Sequence, residues 1–282
     1  MRPALMRTTT PEMAAADFAR AARLFRAPPY LCRLTDGPLH WITAGPVAPR
    51  RLIVHFHGGA YLSGSGATHA PMLGRLSRLT RLRVCAPDYP LLQEAPFPAA
   101  FDAACATWDS LMTRGYAPAD IILGGDSAGG GLMLALLARL TQRGEAPAAA
   151  YAMSPWTDLT MSGQSLADFA ASDPIIPVAR MGEVAALYLA GAAPDDPRAS
   201  PLFARFVAPP PVLIQVGAEE ALRDDAIRIA DRLRAAGGRV DLRLWPGAPH
   251  VWHILDGWVP EARAGLREVA AFIQTSLDSA SR

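Results

Sequence analysis

From residue 31 onward the chain alternates between two hydrophobic rhythms. Short apolar runs occupy residues 31–35, 39–44, 52–56, 82–86, 121–125, 148–153, 212–216 and 240–245. Their length and aliphatic density predict strands. Between them, residues 101–112, 132–140 and 225–236, and a stretch opened by Pro260, predict helices. In 225–236 one face carries Ala226, Ile229, Ala230 and Leu233, with Gly237 as a stop; after Pro260 the face is Leu266, Val269, Ala270, Ile273 and Leu277. The first two strands flank Asp36-Gly37-Pro38 and predict an antiparallel hairpin at a sheet edge. Beyond it strand alternates with helix. That order predicts an α/β fold: a mostly parallel sheet with helices on both faces.

Two regions depart from this rhythm. Ahead of the hairpin, Thr10-Pro11-Glu12 has the signals of a helix start: a capping hydroxyl, a proline at the first position and an acid near the positive dipole end. Ala14, Phe18, Ala21, Ala22 and Phe25 share one face, and Pro28-Pro29 ends the helix. It either packs on the domain or forms part of a lid. Between two strands, residues 159–208 alternate short apolar clusters with Pro174, Pro177, Gly191, Pro194, Pro197 and Pro201. An irregular insertion of this kind is where a substrate cap would sit. The division expected is an N-terminal cap segment (1–30), a main domain (31–158 and 209–282) and a cap insertion (159–208).

One strand end carries unusual chemistry. Gly124-Gly125-Asp126-Ser127-Ala128-Gly129-Gly130-Gly131 lies between Ile121-Ile122-Leu123 and the apolar run 132–140. A Gly-x-Ser-x-Gly string alone says little, because both residue types are common. In a strand–turn–helix context, Gly125-x-Ser127-x-Gly129 has the form of a nucleophile elbow. The turn brings the residues two before and two after the serine together, so both must lack bulk. The helix that follows aims its first N–H groups, Ala128's included, at the reacting atom. A phosphate loop is excluded, since no G-x-x-x-x-G-K-[ST] occurs and the chain has no lysine. The long helix after Ser127 argues against an all-β trypsin-like centre.

His57-Gly58-Gly59-Ala60-Tyr61 follows the strand at 52–56. Gly58 and Gly59 present bare N–H groups there, as an oxyanion loop would. Serine needs a base, and the base needs a carboxylate. His40 and His55 fall inside strands and are expected to pack in the sheet. His57 is expected to order its loop, and His69 lies in a loop or helix start. His250 and His253 both follow the last strand, and His250 is chosen because its loop frees it first. Glu219, Glu220, Asp224 and Asp225 follow the strand at 212–216. The two aspartates are read as helix caps and Asp126 as structural, while Glu219 and Glu220 stay unseparated. Gly58, Gly59, Ser127, the glutamates and His250 all lie past strand ends, where such sheets gather reactive groups.

Composition narrows the classes. The chain has 282 residues, 51% hydrophobic, with a formal net charge of +1. That suits one large domain with a small cap and suggests neither nucleic acid nor acidic membrane as a partner. The missing lysine excludes Schiff-base chemistry. Cys32, Cys85 and Cys105 are odd in number and lack metal-ligand spacing; reduced, mostly buried thiols of a cytoplasmic protein are expected. Met1 to Thr10 has no apolar leader core, and the run 132–138 is too short to span a bilayer.

With these motifs in hand, the chain resembles the bacterial esterases related to mammalian hormone-sensitive lipase, within the α/β-hydrolase superfamily. The resemblance rests on His57-Gly58-Gly59-Ala60-Tyr61, Gly125-Asp126-Ser127-Ala128-Gly129-Gly130, Glu94-x-Pro96-Phe97-Pro98-Ala99-Ala100, Ser154-Pro155-Trp156-x-Asp158-Leu159 and Ser200-Pro201-Leu202. It covers nearly everything from Leu52 onward. It implies an eight-stranded, mostly parallel sheet with a helical cap, no cofactor or metal, and hydrolysis of short- to medium-chain carboxylic esters. It also implies Ser127 as nucleophile, His250 as base, and Gly58, Gly59 and Ala128 as oxyanion donors. Amidase or acyltransferase chemistry on the same groups, or a non-catalytic small-molecule-binding homologue, are the alternatives. A small ester is the implied partner, and a homodimer stays open. Three departures stand out. Ala60 replaces a third glycine. The passage 89–94 lacks the family's arginine and proline. Glu220-Ala221-Leu222-Arg223-Asp224 puts glutamate where the family usually has the acid aspartate.

Overall fold

The computed structural model describes residues 10–280. Residues 1–9, which open the N-terminal cap segment and supply most of the stretch read as lacking a leader, lie outside the described part. Eight strands form one sheet: β1 (Leu31–Asp36), β2 (Leu39–Ala44), β3 (Leu52–Phe56), β4 (Arg83–Pro87), β5 (Ile121–Asp126), β6 (Ala149–Met153), β7 (Val212–Gly217) and β8 (Val240–Trp245). Their spatial order is β1-β2-β4-β3-β5-β6-β7-β8. The β1–β2 and β2–β4 pairs are antiparallel and the rest parallel. The hairpin therefore forms one edge, as its sequence predicts.

Side chains alternate across the sheet, and each face has its own core. Val54, Leu123, Ala150 and Ile214 point toward α3 (Ala99–Thr113), α4 (Ser127–Gln142) and α7 (Arg223–Ala235). Ile53, Ile122, Tyr151 and Leu213 point toward α2 (Gly66–Thr80) and α8 (Pro260–Ala280). Helix α4 is buried almost all round: Leu132, Leu134, Leu136, Leu137 and Leu140 are at most 1% exposed. Each such leucine contributes about 1.5–3 kcal/mol of burial, which anchors the helix whose first residue is Ser127.

Several expectations need correction. Helix α2 was not marked by the hydrophobic rhythm, because Pro71 lies inside it. Reciprocal bonds start it all the same: Ser65 Oγ accepts from Thr68 N and Thr68 Oγ1 accepts from Ser65 N. The N-terminal helix α1 (Pro11–Ala22) starts where expected, with Thr10 Oγ1 accepting from Met13 N at 3.3 Å, but stops well short of Pro28-Pro29 and leaves Phe25 outside. The insertion 159–208 is more regular than its prolines suggest, holding α5 (Gln164–Asp168) and α6 (Val178–Leu189). Cys32 is exposed and Cys105 half-buried, leaving only Cys85 as a buried thiol; all three are free. Among the described residues no helix is long and apolar enough to cross a membrane.

Candidate active site

Ser127 is the first residue of α4, directly after β5, and its φ is +51°. A non-glycine residue in that left-handed region costs on the order of 1–3 kcal/mol, so its surroundings must enforce it. They do so by close packing. A Cβ on Gly125 would fall 2.4 Å from the Gly129 carbonyl oxygen, and one on Gly129 would fall 2.2 Å from that of Phe56. Trp156 N–H pins the Ser127 carbonyl at 2.9 Å. The turn thus lifts the hydroxyl above the C-terminal ends of the strands.

Two residues distant in sequence meet it there. His250 Nε2 lies 2.9 Å from Ser127 Oγ, and His250 Nδ1 lies 2.7 Å from Glu220 Oε1. The carboxylate assigns the tautomer: Nδ1–H donates to Glu220, leaving Nε2 to accept from the serine hydroxyl. Glu220 is 1% exposed, and its other oxygen accepts from Gly217 N–H at 3.0 Å and Ser154 Oγ–H at 2.7 Å. Glu219 turns outward, where it accepts from Gly247 N–H. The structure thus separates the two glutamates that position alone left equal. Burial pulls the His250 pKa down, but the charge and hydrogen bond of Glu220, with Asp173 and Asp126 nearby, outweigh it, and the net direction is upward.

The glycine loop borders the serine. A Cβ on Gly58 would lie 3.0 Å from Ser127 Cβ, so backbone reaches the reacting side chain only because no side chain intervenes. Gly59 adopts φ +122°, and its carbonyl accepts from both Leu62 and Ser63 N–H at 3.0 Å. No group among the described residues accepts from the N–H of Gly58 or Gly59. Ala60, where the resemblance leads one to expect a third glycine, has φ +54°, so this departure carries strain. His57 orders the loop as expected. Its Nδ1–H donates to the Gly58 carbonyl at 2.9 Å, its ring stacks on Tyr89 at 4.3 Å, and Tyr89 O–H donates to its carbonyl.

The other histidines do structural work. His55 Nε2–H donates to Asp126 at 2.9 Å while Tyr151 O–H donates to its Nδ1 at 2.8 Å. His69 Nε2 lies 3.4 Å from the second Asp126 oxygen. Burial alone would raise the Asp126 pKa, but these two rings hold it far below the usual carboxylate range. His40 binds Asp88 at 2.8 Å. His253 is buried against Gln215 at 2.8 Å, and burial pushes its pKa down to about 3. Asp224 and Asp225, expected as caps of their own helix, cap other segments. Asp225 accepts from Thr157 and Asp158 N–H and Asp224 from Ser165 N–H, tying β6 and the insertion to α7. Burial pushes Asp225 up to about 7.

Asp173 and Ser154 border the site; Asp173 was not singled out by sequence, and Ser154 was named only as part of the Ser154-Pro155-Trp156-x-Asp158-Leu159 motif, with no role at the site. Asp173, from the insertion, accepts from Ala221 N–H at 3.0 Å, next to Glu220. Ser154 follows a strand end, the signal that marked the other groups. Above Ser127 lies an apolar cavity of about 290 Å³, roofed by α1 and α6 through Phe18, Met181, Val184 and Leu187, with Phe25 from the segment after α1. A wider hollow of about 410 Å³, lined by Trp41, Arg83 and Arg114, lies on the β1–β2–β4 side and contains none of these reactive groups. No group of three or more His, Cys, Asp or Glu among the described residues is arranged to hold a metal ion.

Known proteins share both sequence and shape. A family described as alpha/beta hydrolase fold matches residues 53–254. An esterase of Acinetobacter venetianus is 38% identical over 230 residues, spanning 81% of this chain and 76% of that one. An acetyl-hydrolase of Streptomyces hygroscopicus is 38% identical over 227 residues, covering 80% and 76%. The crystal structure of an esterase from the bacterial hormone-sensitive lipase family superposes with a TM-score of 0.92 at 36% identity, covering 96% of this chain and 93% of the other.

Proposed function

The chain belongs to the alpha/beta hydrolases, among the bacterial esterases related to hormone-sensitive lipase, and we propose how this carboxylic ester hydrolase cleaves its substrates. Ser127 Oγ attacks the ester carbonyl carbon as His250 Nε2 takes its proton. Glu220 stabilises the imidazolium that forms. The carbonyl oxygen, now anionic, is held by the N–H groups of Gly58, Gly59 and Ala128. Collapse of the tetrahedral intermediate expels the alcohol, which takes the proton from His250, and leaves an acyl ester on Ser127. Water, activated by the same imidazole, releases the acid and restores the serine.

The continuous contact from Ser127 Oγ through His250 to Glu220, at 2.9 and 2.7 Å, carries this reading. The N-terminal segment and the insertion 159–208 are proposed as the cap, since α1 and α6 roof the cavity. At about 290 Å³ the cavity lies just below the roughly 300–1,000 Å³ of small-ligand sites, which favours short to medium acyl chains. Three free thiols favour a reducing compartment, and the cytoplasm is the location proposed.

The test is turnover of 4-nitrophenyl esters of increasing acyl length by the wild type and Ser127→Ala. The variant should lose about 10³-fold or more on every ester, and the wild type should decline for long chains. Undiminished turnover by Ser127→Ala would discard the mechanism.

A further inference from the structure

Building on the Ser127–His250–Glu220 reading, we propose that Ser154 is a positioning residue that locks the carboxylate and the imidazole-bearing loop into one unit. It directly follows β6, is fully buried and has φ +48°. Its own N–H donates to the Gln215 carbonyl of β7 at 2.7 Å, which ties it to the neighbouring strand. Its hydroxyl faces two ways. Oγ–H donates to Glu220 Oε2 at 2.7 Å, and the same oxygen accepts from Val251 N–H at 3.2 Å. Val251 is the residue after His250, and it too is left-handed, with φ +47°. One side chain therefore touches both the acid and the backbone that aims the base.

The glutamate makes such a clamp useful. It has one more rotatable bond than the aspartate usual in this family, so its carboxylate has more orientations to lose on ordering. Gly217 N–H and Ser154 Oγ–H together occupy Oε2, which leaves Oε1 for His250 Nδ1. The clamp also acts on charge. A hydroxyl donating to Oε2 draws negative charge away from Oε1; without it, more charge faces the imidazolium and stabilises it. The charged and titratable groups around His250 are Glu220, Asp173 from the insertion, Asp126 at the end of β5 and His253 in the following turn. Only Glu220 accepts from Ser154.

The experiment compares Ser154→Ala and Ser154→Gly with the wild type, using 4-nitrophenyl butyrate from about pH 5 to 9 and thermal midpoints measured in parallel. Both variants should lose about ten- to a hundredfold in kcat with KM little changed. In both, the acid limb of kcat/KM should move to higher pH. Glycine accepts φ +48° without strain, so Ser154→Gly should be the more stable of the two yet no more active. Wild-type kcat in either variant, a loss with an unmoved acid limb, or recovery of kcat in Ser154→Gly together with stability would each overturn the proposal. Ser127→Ala, run alongside, separates the two ideas: turnover retained there would discard the triad itself.

Discussion

An imidazole takes a proton from serine efficiently only when a carboxylate fixes its tautomer and balances the cation that forms. Glu219 and Glu220 are adjacent and chemically identical, yet only Glu220 lies buried against His250, while Glu219 accepts from a backbone N–H at the surface. Glu220→Gln should therefore lower kcat on the order of 10³–10⁴-fold, whereas Glu219→Gln should stay within about threefold of wild type. Steady-state kinetics of both variants check this, and the reverse ranking would move the acid by one residue. That Ser127 and His250 meet was legible in the sequence because Ser127 directly follows one strand and His250 ends the short loop after another. The glutamates were not separable by position, because a half-turn of loop decides which one faces inward. Only the resemblance, through Leu222-Arg223-Asp224, pointed to Glu220. Asp225 was misread for a related reason. Its place at a helix start suggested capping, but its carboxylate reaches across to the chain after β6, a contact that depends on packing between distant segments.

The elbow works because backbone meets backbone. A Cβ on Gly129 would press on the Phe56 and His57 carbonyl oxygens, which belong to the strand and loop that carry Gly58 and Gly59. Neither can swing aside as a side chain would, so Gly129→Ala should be severely destabilised and lose activity. Gly182, exposed in α6 with nothing within 4 Å of its would-be Cβ, provides the contrast. Gly182→Ala should stabilise the protein by up to about 1 kcal/mol, since alanine restricts the unfolded chain and favours helix. Urea unfolding of the two variants should move in opposite directions, and equal effects would mean that the close approach at the elbow is unimportant. The strands were legible almost to the residue, because their apolar runs are short and sharply bounded. Helix α2 was hidden by Pro71, and α1 ends at Ala22 although its apolar face continues to Phe25. In both, a local signal read without its neighbours misplaced an element.

Burial of ionisable groups ties the stability of the whole fold to pH. Burial lowers the pKa values of His55, His57 and His253, the last two to about 4 and about 3. An unfolded imidazole binds a proton below about pH 6.5, so unfolding near pH 5 takes up protons at these three sites, and their contribution is lost as pH falls from about 6.5. Asp225 opposes them. Raised to about 7, it stays protonated in the fold at pH 5 but ionises when released, so its contribution is lost as pH rises from about 4 toward 7. His57 and His253 take up about two protons on unfolding and Asp225 releases about one, and this net uptake of about one proton predicts a loss of about 1 kcal/mol between pH 6 and pH 5, with His55 acting in the same direction, measurable by urea unfolding. A flat profile would show that these histidines are not held neutral. The mostly parallel sheet, its edge hairpin and the gathering of groups beyond the strand ends could be read from the alternation, whereas the insertion of β4 between β2 and β3 could not. A cap from the N-terminal segment and the insertion was expected, but which helices line the cavity above Ser127 was not, because that depends on how two separate segments meet. The most direct measurement is titration with an organophosphate followed by intact-mass analysis and peptide mapping. One adduct per chain, located on Ser127 and rising in step with lost ester hydrolysis, is the expected result. Full inactivation with the label on another residue, or a labelled Ser127 with hydrolysis intact, would contradict the assignment of Ser127 as nucleophile.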